Sequence, residues 1–525
     1  MLKFLPIILY PEIHYHLGFI YPLYFRRLPE IIADCPYRVN INKKSSIPIL
    51  LIIKDAHKFP ILLNQIIVTI LSKNINFQRE IRLNLSLQDK YFSKIITLEI
   101  PNIDVSQTAD VSVTFYITRI KDSKEFIITN DNLPGLHNEL KIFLSRESIP
   151  ILHDWYAGEP HFHSNFTEDQ VEFGADIKST VQLSMRMDID WLFVTDHSYD
   201  LDDEEDNYMR NSPELPKWQT LKQTIKNIQT NEKFPVLYGE ELSCGNSHNK
   251  NIHLLIINNK DFIKGFGDSA ERWFHNTPTL PLTKACKMIN ENALIISAHT
   301  FEHFHNPIQN ILLRRGSWTE KDIVENNIQY LQIINRSSRL AIAKAKRKWI
   351  KLLLKGYRIV ILAGNDAHGY FNIKREVGIP FVSLFASSSQ IFGYFKTYFK
   401  SDKKITSENF INEFKKNRII VSNGPFAIFT INDNEIGAVT KHSDNYVCKI
   451  EALSSNEFGH ITKILVYSGN KKGNKEKHER SWKISNYKFY ESISLLNNNQ
   501  SYFRVEIYTD KDKFCWTNPI WIENA

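Results

Sequence analysis

The stretch Trp191-Leu-Phe-Val-Thr-Asp-His197 is a short apolar run that ends in an acid and a histidine. Apolar runs in which polar residues do not alternate with apolar ones are typical of strands buried on both faces, as in a parallel sheet covered by helices. When such a sheet closes into a barrel, the carboxyl ends of its strands meet at one mouth. We therefore predict a barrel with polar side chains at its mouth. Three later runs end in the same way: Val236-Leu-Tyr-Gly-Glu-Glu241, Leu294-Ile-Ile-Ser-Ala-His299 and Val360-Ile-Leu-Ala-Gly-Asn-Asp366-Ala-His368.

Helical patterns lie between these runs, and β patterns flank them. Short β-branched and aromatic runs fill residues 1–150 and 420–525, which favours sandwiches there. The predicted fold class is therefore α/β plus all-β. Its predicted parts are an N-terminal β-sandwich-like domain (1–150), a central barrel (151–390), and a C-terminal helix and β-sandwich-like domain (391–525). The predicted helices are Ala175–Met187, Trp218–Gln229 and Leu340–Lys355.

The composition indicates a globular chain. With 525 residues and 61.4 kDa it is too long for one compact core. Hydrophobic residues make up 42% and charged residues 23%, and the mean hydropathy is -0.31, which argues against a disordered or membrane-embedded chain. No uncharged apolar run of about 18 residues is present, so we predict no membrane partner. A net charge of +7 permits an anionic substrate or nucleic acid without requiring either.

The cysteines predict a compartment. Five are scattered along the chain without a CxxC pair, which suits a reducing environment, and we predict a cytoplasmic protein. The N-terminal run Met1–Tyr10 has one lysine and several apolar residues, but Pro6 interrupts it and no small-residue cleavage site follows. Secretion is the alternative.

Metal-ligand side chains concentrate in the middle region. The segment His161-Phe-His163 places two imidazoles on one side of an extended strand, because side chains at i and i+2 point the same way. Together with the strand-end acids and histidines, they predict a divalent-metal site at the barrel mouth. Zinc, manganese and iron accept both nitrogen and oxygen ligands, so these divalent ions are the predicted cofactors.

The order of these motifs resembles a known family. Gly158-Glu-Pro-His-Phe-His163, Val-Thr-Asp-His197, Gly-Glu-Glu241, His253-Leu-Leu, Ser-Ala-His299 and Gly-Asn-Asp366-Ala-His368 resemble the PHP (polymerase and histidinol phosphatase) domain. The segment Asn417-Arg-Ile-Ile-Val-Ser-Asn-Gly-Pro-Phe426 and the ending Trp516-Thr-Asn-Pro-Ile-Trp521 are similar to the CehA/McbA metallohydrolases of that family. The resemblance implies a distorted barrel of seven parallel strands, a (β/α)7 PHP barrel.

The resemblance also implies a site of two or three metal ions and the residues that bind them. A first metal would take His161, His163, Glu241 and Asp366, and Glu241 would bridge to a second metal held by His253 and His299. A third would take Asp169, His197 and His368, although the spacing leaves Glu168 as an alternative to Asp169. The predicted catalytic residues are Glu241, Asp366 and His303. His303 would act as a general acid, and its alternative is a surface-loop histidine.

These residues predict a metal-dependent hydrolase of PHP type. The leading function is a phosphoesterase that uses a metal-bridging hydroxide on a small-molecule or nucleotide substrate, with short nucleic acid also permitted. The alternatives are hydrolysis of a carboxylic ester or carbamate, and, from another class, a non-catalytic carbohydrate- or protein-binding module. The sequence contains no Gly-x-Ser-x-Gly elbow and no P-loop, and it leaves the oligomeric state open.

Overall fold

The structure is a computed structural model in which strands dominate. It describes residues 27–100, 103–132, 139–167, 174–269, 276–302, 313–335, 339–372, 390–471 and 473–523, apart from the side chains of 208 and 209, and the backbone of 7–9, 376–379 and 382–385. Strands account for 45% of the described residues and helices for 14%. The described chain holds no helix of the length and apolarity that a bilayer crossing requires.

The N-terminal region consists of two sheets. One has the order β2-β4-β7 and the other β3-β10-β8-β5-β6, with β9 also paired to β8. Alternation of buried and partly exposed residues along β5 and β8 turns their isoleucines, valines and Phe115 into an apolar core. The strands are β1 (Ile7–Leu9), β2 (Glu30–Asp34), β3 (Arg38–Asn40), β4 (Ser46–Lys54), β5 (Ile61–Leu71), β6 (Asn76–Leu87), β7 (Tyr91–Glu99), β8 (Gln107–Arg119), β9 (Lys124–Thr129) and β10 (Leu140–Ser145).

The central region alternates strands and helices for part of its length. Its helices are α1 (Ile177–Arg186), α2 (Ser198–Leu201), α3 (Pro216–Asn231), α4 (Leu282–Met288), α5 (Glu320–Glu325) and α6 (Arg339–Leu354). Its strands are β11 (Trp155–Phe162), β12 (Trp191–Val194), β13 (Asp203–Glu204), β14 (Asn207–Asn211), β15 (Val236–Gly245), β16 (Asn251–Ile257), β17 (Leu294–Ser297), β18 (Tyr330–Ile334), β19 (Val360–Ala363), β20 (Glu376–Ile379) and β21 (Val382–Phe385). Side-chain caps define the helix starts: Asp176 accepts a hydrogen bond from the backbone N–H of Ser179 at α1, and Thr319 forms a capping box with Asp322 at α5.

The C-terminal region is almost entirely β. One four-stranded sheet has the order β25-β24-β27-β30. The other strands of the C-terminal region pair with the central strands. The apolar core that the two regions share contains Phe426, Tyr446 and Phe503. The elements are β22 (Lys396–Lys400), α7 (Phe410–Phe414), β23 (Ile419–Ser422), β24 (Phe426–Ile431), β25 (Asn434–Glu435), β26 (Val439–Thr440), β27 (Asn445–Leu453), β28 (Ile461–Gly469), β29 (Lys477–Asn486), β30 (Lys488–Leu496), β31 (Tyr502–Thr509), β32 (Phe514–Thr517) and β33 (Ile520–Ile522).

The predicted fold class, α/β plus all-β with a seven-stranded parallel barrel, is wrong. Seven of the central strands, β11, β12 and β15 to β19, belong to one mixed sheet with the order β19-β18-β17-β16-β15-β12-β11-β22-β23-β32-β31-β28-β29, which continues into the C-terminal region. Strand β16 is antiparallel to both β15 and β17, and β22 is antiparallel to β11. With helices at only 14% of the described residues, there are too few crossovers for a (β/α)7 architecture.

A hairpin explains the reversal at β16. The turn between β15 and β16 contains Asn246, whose side-chain oxygen accepts hydrogen bonds from the backbone N–H groups of His248 and Lys250 at 2.9 and 3.0 Å. Asn249 adopts a left-handed backbone conformation with φ of 53°. A short turn of this kind joins antiparallel strands, whereas parallel strands need a long crossover. The domain boundaries at 150 and 390 stay a prediction.

Candidate metal centre

Most of the predicted metal ligands lie together in the interior. His161, His163, His197, Glu241, His253, His299, Asp366 and His368 are all buried, and none is more than 6% exposed. Glu168, Asp169 and His303 lie outside the described residues, so their predicted roles stay predictions. The structure therefore brings together the part of the predicted site that it describes.

Strand ends and one hairpin position these side chains. His161 lies at the end of β11, His197 follows β12 after two residues, and His299 follows β17 after one residue. Glu241 lies within β15, where the antiparallel register sets His253 of β16 opposite Ser243. Because Glu241 is two residues from Ser243, its side chain is on the same face of the sheet as His253.

Two backbone hydrogen bonds connect the last ligand loop to the first ligand strand. The N–H of Asp366 donates to the carbonyl of His161 at 2.9 Å, and the N–H of His163 donates to the carbonyl of Ala367 at 2.8 Å. Asp366 has a φ of 51° and His299 a φ of 31°, a region that non-glycine residues rarely adopt. Such strain persists where the surrounding structure fixes it, and it is concentrated at functional sites.

The carboxylate of Glu159 holds the loop that carries Asp366. Its carboxylate accepts hydrogen bonds from the backbone N–H groups of His161 at 3.1 Å, Asn365 at 3.0 Å and Gly393 at 3.2 Å, and it also bonds the side-chain amide of Asn365. Burial raises the pKa of Glu159 to about 7, although these hydrogen bonds oppose the rise. Glu159 therefore ties the strand that carries His161 to the loop that carries Asp366.

The donor atoms of His161, His163, Glu241 and Asp366 all lie within 4.8 Å of one another. The Nε2 atoms of the two histidines are 3.2 Å apart. Oδ1 of Asp366 is 3.3 Å from Nε2 of His161 and 3.2 Å from Nε2 of His163. Oε2 of Glu241 is 3.4 and 3.2 Å from the same two nitrogens. This set equals the group that the family resemblance implies for a first metal.

Oxygen atoms of neighbouring groups contact the Nδ1 atoms of three imidazoles. Nδ1 of His161 lies 2.8 Å from Oε1 of Gln332, and Nδ1 of His368 lies 3.1 Å from the backbone carbonyl of Asp366. Nδ1 of His163 lies 3.3 Å from the hydroxyl of Thr167, which itself donates to Asp196 at 2.9 Å. Each of these partners can accept a hydrogen bond from Nδ1, so Nε2 is the ring nitrogen left for the cluster. A neutral imidazole held in this way can bind a metal through Nε2.

Two further groups overlap the first. His163, His197 and His368 can bring their donor atoms together, and so can His197, Glu241 and His253. The rings of His163 and His368 stack at a centroid distance of 4.0 Å. Nε2 of His299 is 3.1 Å from Oε1 of Glu241. The predicted second and third groups are therefore present in part, with Asp169 outside the described residues and His163 in contact with the third group.

Buried atoms without hydrogen bonds test whether this donor set fits an ion. Both ring nitrogens of His197 and Oε2 of Glu241 lack a hydrogen-bond partner, although Oε2 lies 3.1 Å from Nδ1 of His197. A buried polar atom left unsatisfied is costly, and these atoms face one another across a short gap. A divalent ion accepts lone pairs from both nitrogen and oxygen, so the donor set fits zinc, manganese or iron.

The electrostatics of the cluster agree with that fit. Burial raises the pKa of Glu241, but His253 and His161 outweigh it and hold that pKa well below its usual range. Burial lowers the pKa of His253 and so does Arg315, yet Glu241 and Asp268 raise it to about 9. Burial and the neighbouring His163 together lower the pKa values of His197 and His368. Glu241 thus stays charged and requires positive charge beside it.

A narrow crevice borders the cluster. It is lined by His253, His299, Arg315 and Trp318 among others, and it leaves no room for a water molecule. The described residues are therefore closely packed on this side of the cluster.

Several supporting residues escaped the sequence analysis. Gln332 is a polar residue inside the apolar strand Tyr330–Ile334, and that contrast is a signal that could have identified it. Asp268 and Arg315 lie in loops, where their sequence neighbourhood gives no such signal. Asp196, the acid near the end of the stretch Trp191–His197, is by contrast a candidate from the sequence for orienting a ligand imidazole. It receives four hydrogen bonds from Ser164 and Thr167, so it contacts His163 through Thr167.

Comparisons with known proteins add little to this geometry. No family model matches the chain, and no curated protein matches it. A β-glucuronidase of Parabacteroides merdae matches with 9% identity over 95% of this chain and 64% of its own, at a TM-score of 0.20. A putative β-galactosidase of Bacteroides fragilis matches with 11% identity over 95% of this chain and 73% of its own, at a TM-score of 0.19. The chain thus spans less than two thirds of that β-glucuronidase.

These comparisons correct the predicted function. The matched structures are glycoside hydrolases by name, contrary to the PHP-type phosphoesterase, the ester or carbamate hydrolase and the binding module predicted from the sequence, which we withdraw. At TM-scores this low, the matches carry no argument for a glycosidase in their place. Nucleic acid as a substrate is withdrawn with the phosphoesterase.

Proposed function

We propose that this chain is a metal-dependent hydrolase of a small-molecule substrate. The observation that carries the proposal is the convergence of His161, His163, Glu241 and Asp366, whose donor atoms lie within 4.8 Å of one another in a fully buried cluster. Buried groups of imidazoles and carboxylates with converging donor atoms are typical of divalent-metal sites. The resemblance of the ligand segments to PHP motifs supports this assignment of the metal ligands. We propose the resemblance for those segments alone and not for the fold.

The protein contributes preorganised ligands. Gln332 and Thr167 hold the Nδ1 atoms of His161 and His163, so their Nε2 atoms face Glu241 and Asp366 before any ion arrives. When bound, a zinc, manganese or iron ion would lower the pKa of water and polarise the bond to be cleaved. Two or three such ions are proposed, because His197 and His253 provide a second group around Glu241.

Burial and charge prepare the same residues for hydrolysis. Oε1 of Glu241 lies 2.7 Å from Nδ1 of His253 and 3.1 Å from Nε2 of His299, and Oε2 lies 3.1 Å from Nδ1 of His197, so both oxygens of this carboxylate face imidazoles. In a water-poor interior these interactions are stronger than at the surface and need little rearrangement during reaction.

Metal analysis tests the proposal. The full chain is purified without a chelating tag, and bound zinc, manganese and iron are measured per chain. The metal-free and reconstituted proteins are then compared on p-nitrophenyl esters, phosphates and glycosides, with Asp366→Asn as the inactive reference. We expect two or three ions per chain and turnover that disappears on chelation and returns with metal. A protein that binds no ion after reconstitution, or whose turnover survives full chelation, would overturn the proposal.

A further inference from the structure

Behind the metal cluster lies a buried carboxylate. Asp268 is 1% exposed and lies in the segment between β16 and α4. Its Oδ1 accepts a hydrogen bond from the hydroxyl of Ser243 at 2.6 Å. Its Oδ2 lies 3.0 Å from Nε2 of His253 and 2.8 Å from Nε of Arg315. Asp268 is therefore held from three directions, and one of its contacts is a predicted metal ligand.

The contact with Asp268 sets the direction of His253. A carboxylate accepts hydrogen bonds and donates none, so Nε2 of His253 carries the proton at this contact. The other ring nitrogen, Nδ1, then faces Glu241 at 2.7 Å. This arrangement is the reverse of that at His161, where Gln332 holds Nδ1 and Nε2 faces the cluster. His253 can therefore reach the cluster only if its ring keeps this tautomer and orientation.

We propose that Asp268, held in place by Arg315 and Ser243, is a positioning residue that makes His253 present Nδ1 to the metal centre. The inference rests on the proposed function, since it concerns the affinity of the same cluster for a divalent ion. Carboxylates that bind the far nitrogen of a metal-ligating histidine orient its ring, and their loss typically weakens metal affinity 10- to 100-fold. Arg315 compensates the charge of Asp268 in the interior, where an unpaired carboxylate would be costly.

A matched pair of variants tests the role. Asp268→Asn removes the charge behind His253, and Asp188→Asn removes a carboxylate of the same kind that is buried against Arg38, away from the cluster. Ser243→Ala, which deletes a single hydrogen bond to Asp268, is the milder variant. Zn²⁺ affinity of the full-length proteins is measured by competition with a chromophoric chelator, and the absorption spectrum of the Co²⁺-loaded proteins reports the ligand set.

We expect Asp268→Asn to weaken the binding of one Zn²⁺ per chain about 10- to 100-fold and to change the Co²⁺ spectrum. Ser243→Ala should give a smaller loss, and Asp188→Asn should bind like the wild type even if it unfolds more easily. Wild-type affinity in Asp268→Asn, or an equal loss in Asp188→Asn, would overturn this inference and leave the proposed function intact. Failure of the wild-type protein to bind Zn²⁺ would overturn both.

Discussion

Arg38 and Asp188 form a buried ion pair, with Nη1 of the guanidinium 2.6 Å from Oδ2 of the carboxylate. Arg38 lies on β3 of the N-terminal region, and Asp188 lies between α1 and β12 of the central region. The same guanidinium contacts Glu457, in the loop between β27 and β28, at 2.8 Å. One side chain that is 1% exposed thus connects all three regions of the chain.

Replacing this arginine should destabilise the fold. Arg38→Met would leave the carboxylates of Asp188 and Glu457 buried without their main counter-charge, and breaking a buried pair in this way typically costs about 3–5 kcal/mol. Lys43→Met is the matched control, because Lys43 contacts the same Asp188 at 2.7 Å but is 48% exposed, and such pairs contribute up to about 1 kcal/mol. The free energies of unfolding in urea decide the comparison, and equal losses in the two variants would contradict it.

Removing a ligand from the first metal group should abolish activity without unfolding the protein. We expect His161→Ala and Asp366→Ala to lose at least one ion per chain and essentially all turnover, because the remaining donors cannot complete the site. His153→Ala is the control, since this histidine side chain is 94% exposed. Metal content, turnover and circular dichroism are measured together. Retention of wild-type metal content and turnover in either ligand variant would show that the assignment is wrong.

Gln332 should matter through its acceptor oxygen. Oε1 of Gln332 lies 2.8 Å from Nδ1 of His161 and accepts a hydrogen bond from the backbone N–H of His299 at 3.2 Å. Gln332→Leu removes this acceptor, and we expect Zn²⁺ affinity to fall about 10- to 100-fold. Gln332→Glu keeps an acceptor oxygen and should stay within a few-fold of the wild type. If both variants lost affinity equally, the residue would contribute to packing rather than to the tautomer of His161.

Much of the site could be predicted from the sequence because the ligands follow recognisable strands. Apolar runs such as Trp191–Val194 and Val360–Ala363 are strands in the structure, and the polar residues directly after them lie in the cluster. Local patterns of this kind carry information only on residues that are close to one another in the sequence. They gave no information on Asp268 or Arg315, whose roles depend on contacts across the fold.

The fold class could not be predicted because it depends on strand direction. The segment Asn251–Ile257 is an apolar run that the sequence analysis did not assign as a strand, although the polar stretch Gly245–Lys250 before it is a hairpin signal. That single omission hides two antiparallel pairings and makes the region appear to be a parallel barrel. The union of central and C-terminal strands in one sheet is likewise a long-range pairing that no local pattern reveals.

Acid should weaken the fold through Glu506, a buried residue of β31 that is remote from the metal ligands in sequence. Its carboxylate contacts Arg504 and lies 2.9 Å from Nζ of Lys346. Burial raises the pKa of Glu506, but Arg504 and Lys346 outweigh it and lower that pKa from 4.5 to about 2. Because the pKa is lower in the folded state, the stabilisation is fully present above about pH 4.5 and is lost as the pH falls toward 2.

The difference between the wild type and Glu506→Gln isolates this effect from other groups that titrate in acid. We expect the variant to be less stable at pH 7 by about 3 kcal/mol, the equivalent of the shift in pKa, and the gap to shrink steadily below pH 4.5. Glu523→Gln, at an exposed carboxylate, is the control and should match the wild type throughout. Urea unfolding at pH 7, 4.5 and 3 measures the gap. A gap that stays constant over this range would mean that Glu506 is not held in its charged form by Arg504 and Lys346.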